Sequence, residues 1–567
     1  MGWGKPCAGP GAPPPMDELW VWVMWGAAAL AQGLAVCYFF GYYGRPGSRD
    51  CVLMTVATLA VAAALGALML LPVDTFIVSN LGDILDNPEL ELEGRLREIG
   101  LRTQAVQYAS YGLWAGSAAV AFLVVPFVYF FHEEEELYGF EERRTGALTC
   151  AALKYVVLLL VVVGALLGVA LGVQPGLSLD DLVTDFAWIA KWAQVSAPVA
   201  EAFNFLMVGL GCVGLLSWVC YTSVGLAYMP IDILRGQRHV DLLRATIEER
   251  QSLLGNRYDQ IRDKARRHGA KSLSRRERRD KEVSEQSALR LQSDRAHLDR
   301  SQTALNALLN RCPLLRYVVG LVLLLLSLLL LEAAIVSAID TTLNHTGWMR
   351  GFVLTEGELE YLNALSLALT WSCGAAPAIE VYAAAAQFGG LAILTLHIVS
   401  STMYGMFTVG MCGIGRLKPH RTWPQSLLVA AFVLVFTLWG ALLTVPALAP
   451  QFFTYGCQKQ PGAEPTDPML DCTRSAPQPY CIDTQFSLVS AYMRLSLPPL
   501  GIFIFGVGWA FVGMTLLAFG SAILMLSRFG ACKRSFSNTI SMCCQQWPPA
   551  APAPPPRTMS PTTRTGS

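Results

Sequence analysis

Repeated apolar runs of about twenty residues limit what this chain can fold into. A run of that length crosses about 30 Å of hydrocarbon as a helix, because each residue adds about 1.5 Å along the helix axis. The 567 residues are 53% hydrophobic and only 15% charged, so these runs dominate the chain. The sequence therefore predicts an all-α polytopic membrane protein.

One long polar segment, residues 230–313, divides the apolar runs into two groups. Lys and Arg outnumber Asp and Glu there, giving about +7 in a chain that is neutral overall. Basic loops between membrane spans favour the cytoplasmic side. Counting outward from this segment predicts about nine transmembrane helices, five before it and four after it. The N-terminus then lies in the lumen and the C-terminus in the cytoplasm.

The predicted regions follow from this division. A lumenal loop at 450–490 lies within the second group of spans, and the apolar stretch 362–371 is too short to span, which predicts a half-helix or a re-entrant piece. The Gly/Pro-rich and Pro-rich ends predict disorder. The regions are a disordered lumenal N-terminus (1–18), spans 1–5 (19–229), the basic cytoplasmic segment (230–313), spans 6–9 (314–527) and a disordered cytoplasmic tail (528–567).

Two apolar stripes in the basic segment predict a cytoplasmic helical hairpin. Apolar residues recur every seven positions from 247 to 261 and again from 291 to 305. The first stripe also matches acidic-dileucine and tyrosine sorting patterns, although any amphipathic helix with acidic neighbours produces such strings. The segment is tethered to the membrane and shows no nucleic-acid-binding motif, so nucleic-acid binding is not predicted. The candidate sorting residues are Glu249, Leu253, Leu254, Tyr258 and Ile261.

Several cysteines and one asparagine are candidates for covalent modification. Cys472 and Cys481 lie in the lumenal loop, where disulfides form, and predict a bond, with Cys457 left as an odd thiol or a competing partner. Asn344 begins an Asn-His-Thr sequon and is a candidate for glycosylation, unless the bilayer lies too close. In the tail, Cys543 and Cys544 are candidates for palmitoylation, and unmodified thiols are the alternative.

Four ionisable residues in or beside the apolar runs form a candidate substrate pathway. A charge in hydrocarbon is costly, so such residues often mark routes for cargo or protons. Asp74, Glu332 and Glu380 lie toward lumenal helix ends, and His397 lies near the middle of span 7. They predict an acidic lumenal vestibule with a proton-sensitive group below it. Alternatively, the carboxylates reach the interface and the histidine bonds a neighbouring helix.

The chain carries no recognisable catalytic or metal-binding motif. It has no GxxxxGK[ST] phosphate loop, no HExxH, no GxSxG and no His/Cys cluster at zinc spacing. The sequence therefore does not predict an enzyme, a permanent cofactor or a metal site.

Short motifs in a fixed order resemble one membrane-protein family. Leu-Leu-Pro-Val-Asp at 70–74, Pro-Phe-Val-Tyr at 126–129 and Leu-Lys-Tyr at 153–155 resemble the limb-region (lipocalin-receptor-like) membrane proteins. Arg-Thr-Trp-Pro-Gln at 421–425, Leu-Ala-Pro-Gln-Phe at 448–452 and the Cys472/Cys481 pair resemble its "probable lysosomal cobalamin transporter" branch. The resemblance runs from about residue 19 to 525.

The resemblance implies a lysosomal membrane protein required for cobalamin export. Such a protein transports cobalamin itself or escorts an ABC-type cobalamin exporter in the lysosomal lipid membrane. The family is also linked to endocytic adaptors at the plasma membrane. Two alternatives therefore stand: an adaptor that works through 232–312, or a lipocalin-type receptor that uses the lumenal loops 80–103, 340–361 and 450–490. A cavity large enough for cobalamin would favour transport, and a filled bundle would favour a scaffold.

Overall fold

The helices of the computed structural model have the following bounds. The residues described are 18–44, 51–79, 92–138, 145–172, 198–235, 251, 313–354, 359–371, 380–411, 422–460, 470–472, 481–496 and 498–526. The α-helices are α1 (Glu18–Tyr43), α2 (Cys51–Leu68), α3 (Leu70–Ser79), α4 (Leu92–Ala119), α5 (Val125–Tyr138), α6 (Thr145–Gly172), α7 (Pro198–Ser217), α8 (Ser223–Arg235), α9 (Pro313–Leu343), α10 (Ala364–Trp371), α11 (Glu380–Val409), α12 (Pro424–Leu448), α13 (Pro450–Tyr455), α14 (Gln485–Ser496) and α15 (Pro498–Leu526).

Nine helical stretches in the described part of the chain are long and apolar enough to cross a membrane, which confirms the predicted count of five plus four. Spans 2, 5 and 8 are the most buried, and spans 1 and 4 are the least buried. The stretches are Val21–Gly41, Cys51–Ser79, Arg102–Glu135, Leu148–Ala165, Val208–Arg235, Leu314–Leu343, Phe388–Val409, Pro424–Leu448 and Pro498–Leu524, numbered here as spans 1 to 9.

Three of these spans depart from regular α-helix. Span 2 is interrupted at Met69, between α2 and α3. Pro72 follows closely and has no N–H to donate to the preceding turn, so the interruption is expected there. Spans 3 and 5 each contain one π-helical turn, at Val120–Val124 and Trp218–Thr222. Such a turn carries one extra residue and locally widens the helix.

Glycines bring the backbones of spans 5, 7 and 8 into direct contact. A Cβ added to Gly214 in α7 would lie 1.7 Å from the carbonyl oxygen of Phe436 in α12. A Cβ at Gly225 in α8 would lie 1.6 Å from the carbonyl oxygen of Ser401 in α11. Small residues allow this approach in membrane bundles, where packing takes the place of hydrophobic exclusion. No cargo can pass between these helix pairs in this structure.

Contacts at the two ends of the bundle agree with spans that alternate in direction. At one end, Gly44 after span 1 pairs with Thr422 before span 8. At the other end, the Cys457 N–H donates to Ser79 Oγ at the close of span 2, at 3.0 Å. This second end also carries a two-stranded antiparallel sheet of β1 (Lys459–Gln460) and β2 (Leu470–Asp471). It is called the disulfide end below.

Candidate functional site

The predicted Cys472–Cys481 disulfide is present. Cys457 is disulfide-bonded as well, so the expectation that it is an odd thiol is wrong. The β1–β2 sheet and the Cys472–Cys481 bond that follows it are called the disulfide hairpin below. Gln451 Nε2 donates to the Cys472 carbonyl oxygen at 3.4 Å, which ties this hairpin to α13. The hairpin is therefore fixed to the helices beneath it.

We expect the double substitution Cys472→Ser/Cys481→Ser to destabilise the disulfide end. The bond joins residues nine apart, and closing a loop of that size restricts the unfolded chain by about 2–3 kcal/mol. Thermal unfolding of the purified chain in detergent should show a lower midpoint for the variant. Cys37→Ser, at an exposed free thiol, is the matched control. Equal midpoints for the variant and the unsubstituted chain would show that the bond does not stabilise this end.

Three carboxylates bind backbone N–H groups at the starts of three short helices at the disulfide end. The first N–H groups of any helix lack partners within the helix, and negative charge is favourable there. These helices, α10, α13 and α14, together with the disulfide hairpin, are called the cap below. Asp74 Oδ2 accepts from Phe486 N (3.2 Å), the Glu332 carboxylate from Ala364 N (3.2 and 3.3 Å), and Glu360 Oε1 from Gln451 N (3.0 Å).

Glu360 is the most heavily engaged of the three and was missed in the sequence analysis. Its side chain is buried, and Ser366 Oγ donates to the same Oε1 at 2.7 Å. Burial raises the pKa of Glu360 from its ordinary 4.5 to about 7, opposed by its hydrogen bonds and assisted by the nearby Asp340 carboxylate. Glu360 can therefore change its charge near neutral pH while holding α13.

Asn363 joins the cap to span 8 and was also missed. It precedes α10, and its Oδ1 accepts from Ser366 N at 3.0 Å, as an N-cap side chain does. Its Nδ2 donates to the Leu448 carbonyl oxygen at 2.6 Å. The beginning of α10 could be predicted from the sequence, because Asn363 stands directly before an apolar run. Nothing local in the sequence indicates the contact with Leu448. The predicted short helix at 362–371 is observed as α10.

The structure places the predicted pathway carboxylates in separate surroundings. Asp74 is only 1% exposed, so it does not face open solvent. Glu332 is partly exposed and binds the start of α10. Glu380 is the first residue of α11. Within the described part of the chain, no hydrogen bond joins Asp74 to Glu332, and a shared acidic vestibule stays a prediction.

His397 lies in the interior, between span 7 and span 6. Its Nε2 is 2.9 Å from Ser327 Oγ, and both side chains are buried. Its Nδ1 has no partner among the described residues. Within the same part of the chain, no three His, Cys, Asp or Glu side chains are grouped so that they could hold a metal ion. The histidine thus makes the hydrogen bond between helices that was the simpler alternative.

The structure describes the predicted glycosylation site but not the predicted palmitoylation site. Asn344 follows α9 directly, and its Nδ2 donates to Asp340 Oδ1 at 2.8 Å. A glycan would replace one of the two hydrogens on this nitrogen, and glycosylation stays a prediction. The candidate palmitoylation residues Cys543 and Cys544 lie outside the described residues, as do the sorting residues and the helical hairpin of the basic segment.

A cavity of about 260 Å³ lies between α1 and α11, with α2 and α8 contributing. It is called the α1–α11 cavity below. Its lining is mostly apolar, and none of the four predicted pathway residues borders it. Pockets that enclose drug-sized ligands measure about 300–1,000 Å³, and cobalamin is larger than such ligands. The cavity therefore cannot hold a corrin ring in this conformation.

Comparison with known proteins agrees with the resemblance seen in the motifs. The chain is 26% identical over 518 residues to the "Lysosomal cobalamin transport escort protein LMBD1" of Danio rerio, covering 85% of this chain and 90% of the relative. It is 25% identical over 449 residues to a "Probable lysosomal cobalamin transporter" of Nematostella vectensis, covering 77% and 78%. No solved structure matches. The profile of the family described as "LMBR1-like membrane protein" matches residues 23–344, more than half of the chain, and the chain belongs to this family.

Proposed function

We propose that this protein is a lysosomal membrane escort in cobalamin transport, which supports a separate ABC-type exporter and does not conduct cobalamin itself. The relatives named above support the cobalamin assignment. The backbone contacts at Gly214 and Gly225 favour the escort role, because they close the interior between spans 5, 7 and 8. The α1–α11 cavity is too small to offer a route past these helices.

The orientation proposed for this role places the disulfide end in the lysosomal lumen. The basic segment then lies in the cytoplasm, which is the side that Lys and Arg favour. Disulfides form in oxidising compartments, and the Cys472–Cys481 bond follows span 8, so spans that alternate in direction put it on the opposite side from the connection between spans 5 and 6. The cap would thus face the lumen, where an exporter collects its cargo.

Cobalamin release from isolated lysosomes tests the proposal. Cells that lack their own copy of this protein would receive the chain, with and without the ABC-type exporter. We expect release to return only when both are present. Release with the chain alone would contradict the escort role and support direct transport. Absence of release in both settings, with the chain located in lysosomes by microscopy, would contradict the cobalamin assignment and favour an adaptor or receptor.

A further inference from the structure

The segment that contains α10 buries its polar side chains and exposes its apolar ones. Asn363 is only 1% exposed and Ser366 only 3%, and both are hydrogen-bonded inside the fold. A helix at a water-facing surface does the opposite, with its apolar stripe inward and its polar side chains outward. The exposed side chains form what is called the α10 face below: Tyr361 (67% exposed), Leu362 (53%), Ala364, Leu367 (52%) and Ala368.

The position of α10 along span 6 places this face at the edge of the hydrocarbon. α9 begins at Pro313, and about twenty helical residues cross about 30 Å, so the crossing ends near Glu332. The Glu332 carboxylate accepts from Ala364 N, so α10 begins at that level. The remaining residues of α9, up to Leu343, extend about 16 Å farther. α10 therefore begins at the membrane boundary and not at the outer end of α9.

The α10 face continues the lipid-facing surface of span 6. Leu321, Leu325 and Leu328 are exposed and recur every three or four positions, so they lie on one face of α9. Glu332 is the next position in this series and lies on the same face. In a membrane span, exposed apolar side chains contact lipid. The line of exposed leucines thus leads directly to Glu332 and to the beginning of α10.

We propose that the α10 face inserts into the bilayer leaflet at the disulfide end, where lipid acyl chains cover it. Its side chains are apolar apart from the Tyr361 hydroxyl, and tyrosine is typical of the membrane interface. Glu332 is partly exposed and marks the depth limit of insertion, because a carboxylate is costly in hydrocarbon. The contact holds the cap against the membrane through α10. It depends neither on the cobalamin assignment nor on the compartment that the disulfide end faces.

Photocrosslinking of the full chain in phosphatidylcholine nanodiscs tests the proposal. The photoreactive amino acid p-benzoylphenylalanine is placed at position 367, and at 362 in a second variant that serves if the first does not fold. Adducts are identified by intact mass and by gel mobility. We expect a phospholipid adduct at 367 and 362, as at the lipid-facing Leu325, which is the positive control. Lys459, exposed on β1, is the water-facing control and should give no lipid adduct.

Two outcomes of this experiment would overturn the proposal. A lipid adduct at 325 with none at 367 or 362 would place the α10 face in water. An adduct between two chains at 367 or 362 would show that a second copy covers the face in place of lipid.

A charge on the α10 face gives a second test. Leu367→Asp, combined with the probe at 362, should abolish the lipid adduct there, because a charge at this depth keeps the face out of hydrocarbon. Leu343→Asp is the matched control: Leu343 is also exposed, but it lies beyond the membrane boundary, so the adduct at 362 should remain. An unchanged adduct with Leu367→Asp would contradict insertion of this face.

Discussion

Gly225→Ala is expected to prevent the native packing of this membrane bundle. The added methyl group would lie 1.6 Å from the Ser401 carbonyl oxygen, which is a backbone atom and cannot rotate away. α8 and α11 would have to separate along their contact, and overpacking of this severity costs about 3 kcal/mol, the upper end of the usual range. Gly405 meets the Tyr221 carbonyl oxygen in the same interface, so the strain would spread. The measurement is the yield and thermal midpoint of monodisperse protein in detergent.

The control for this prediction is a glycine of the same bundle with free space around it. A Cβ at Gly209 in α7 or at Gly112 in α4 would meet no atom within 4 Å. Alanine also favours helix over glycine by about 1 kcal/mol, so these substitutions should leave the midpoint unchanged or raise it. If Gly225→Ala behaved like the controls, spans 5 and 7 would not be in backbone contact, and the argument for a closed interior would fail.

The transmembrane part of the fold was accessible from the sequence, and the cap was not. Each span is a local feature, because apolar length alone decides whether a segment can cross hydrocarbon. The cap depends on contacts between distant residues. Asp74 and Phe486 lie 412 positions apart, and Glu360 and Gln451 lie 91 apart. No periodicity in either segment indicates the other, so only the folded chain reveals them.

The predicted pathway residues also show that the sequence does not reveal contacts between distant residues. A carboxylate in an apolar run is unusual and can be found from the sequence, but its role depends on its hydrogen-bond partner in the fold. Asp74 and Glu332 satisfy helix N–H groups, which is a structural use and differs from both a pathway and a solvated interface. His397, by contrast, has the neighbour that a buried imidazole in a helix bundle usually finds, a hydroxyl on the next helix. The sequence identified the unusual residues and left their partners open.

The cap and the closed interior together favour a role at the surface of the bundle. The short helices α10, α13 and α14 lie at the disulfide end, and each is held by a carboxylate that accepts from a backbone N–H group at its start. A protein that conducted cargo through its centre would need this cover and the glycine contacts beneath it to separate together. An escort needs only a stable surface outside the membrane and a lipid-facing side that can bind another membrane protein.

Stability of the disulfide end is expected to fall as pH rises from acidic to neutral, because of Glu360. Its pKa in the folded protein, about 7, lies above the ordinary 4.5, so the folded state holds the proton more tightly. The contribution is complete below about pH 4.5 and is lost as pH rises through about 7, amounting to about 3 kcal/mol over the window. Thermal midpoints of the purified chain, measured from pH 4.5 to 8, should decline accordingly.

Glu360→Gln should flatten this decline, because the amide stays neutral at every pH and its oxygen can still accept from Gln451 and Ser366. Above pH 7 the variant should therefore be more stable than the unsubstituted chain, although glutamine is a weaker partner for the α13 N–H groups than a carboxylate. Glu133→Gln, at an exposed position, is the matched control and should leave the slope unchanged. A Glu360→Gln variant with the full pH slope would show that another group governs the pH response, and Glu360 would then hold α13 without sensing protons.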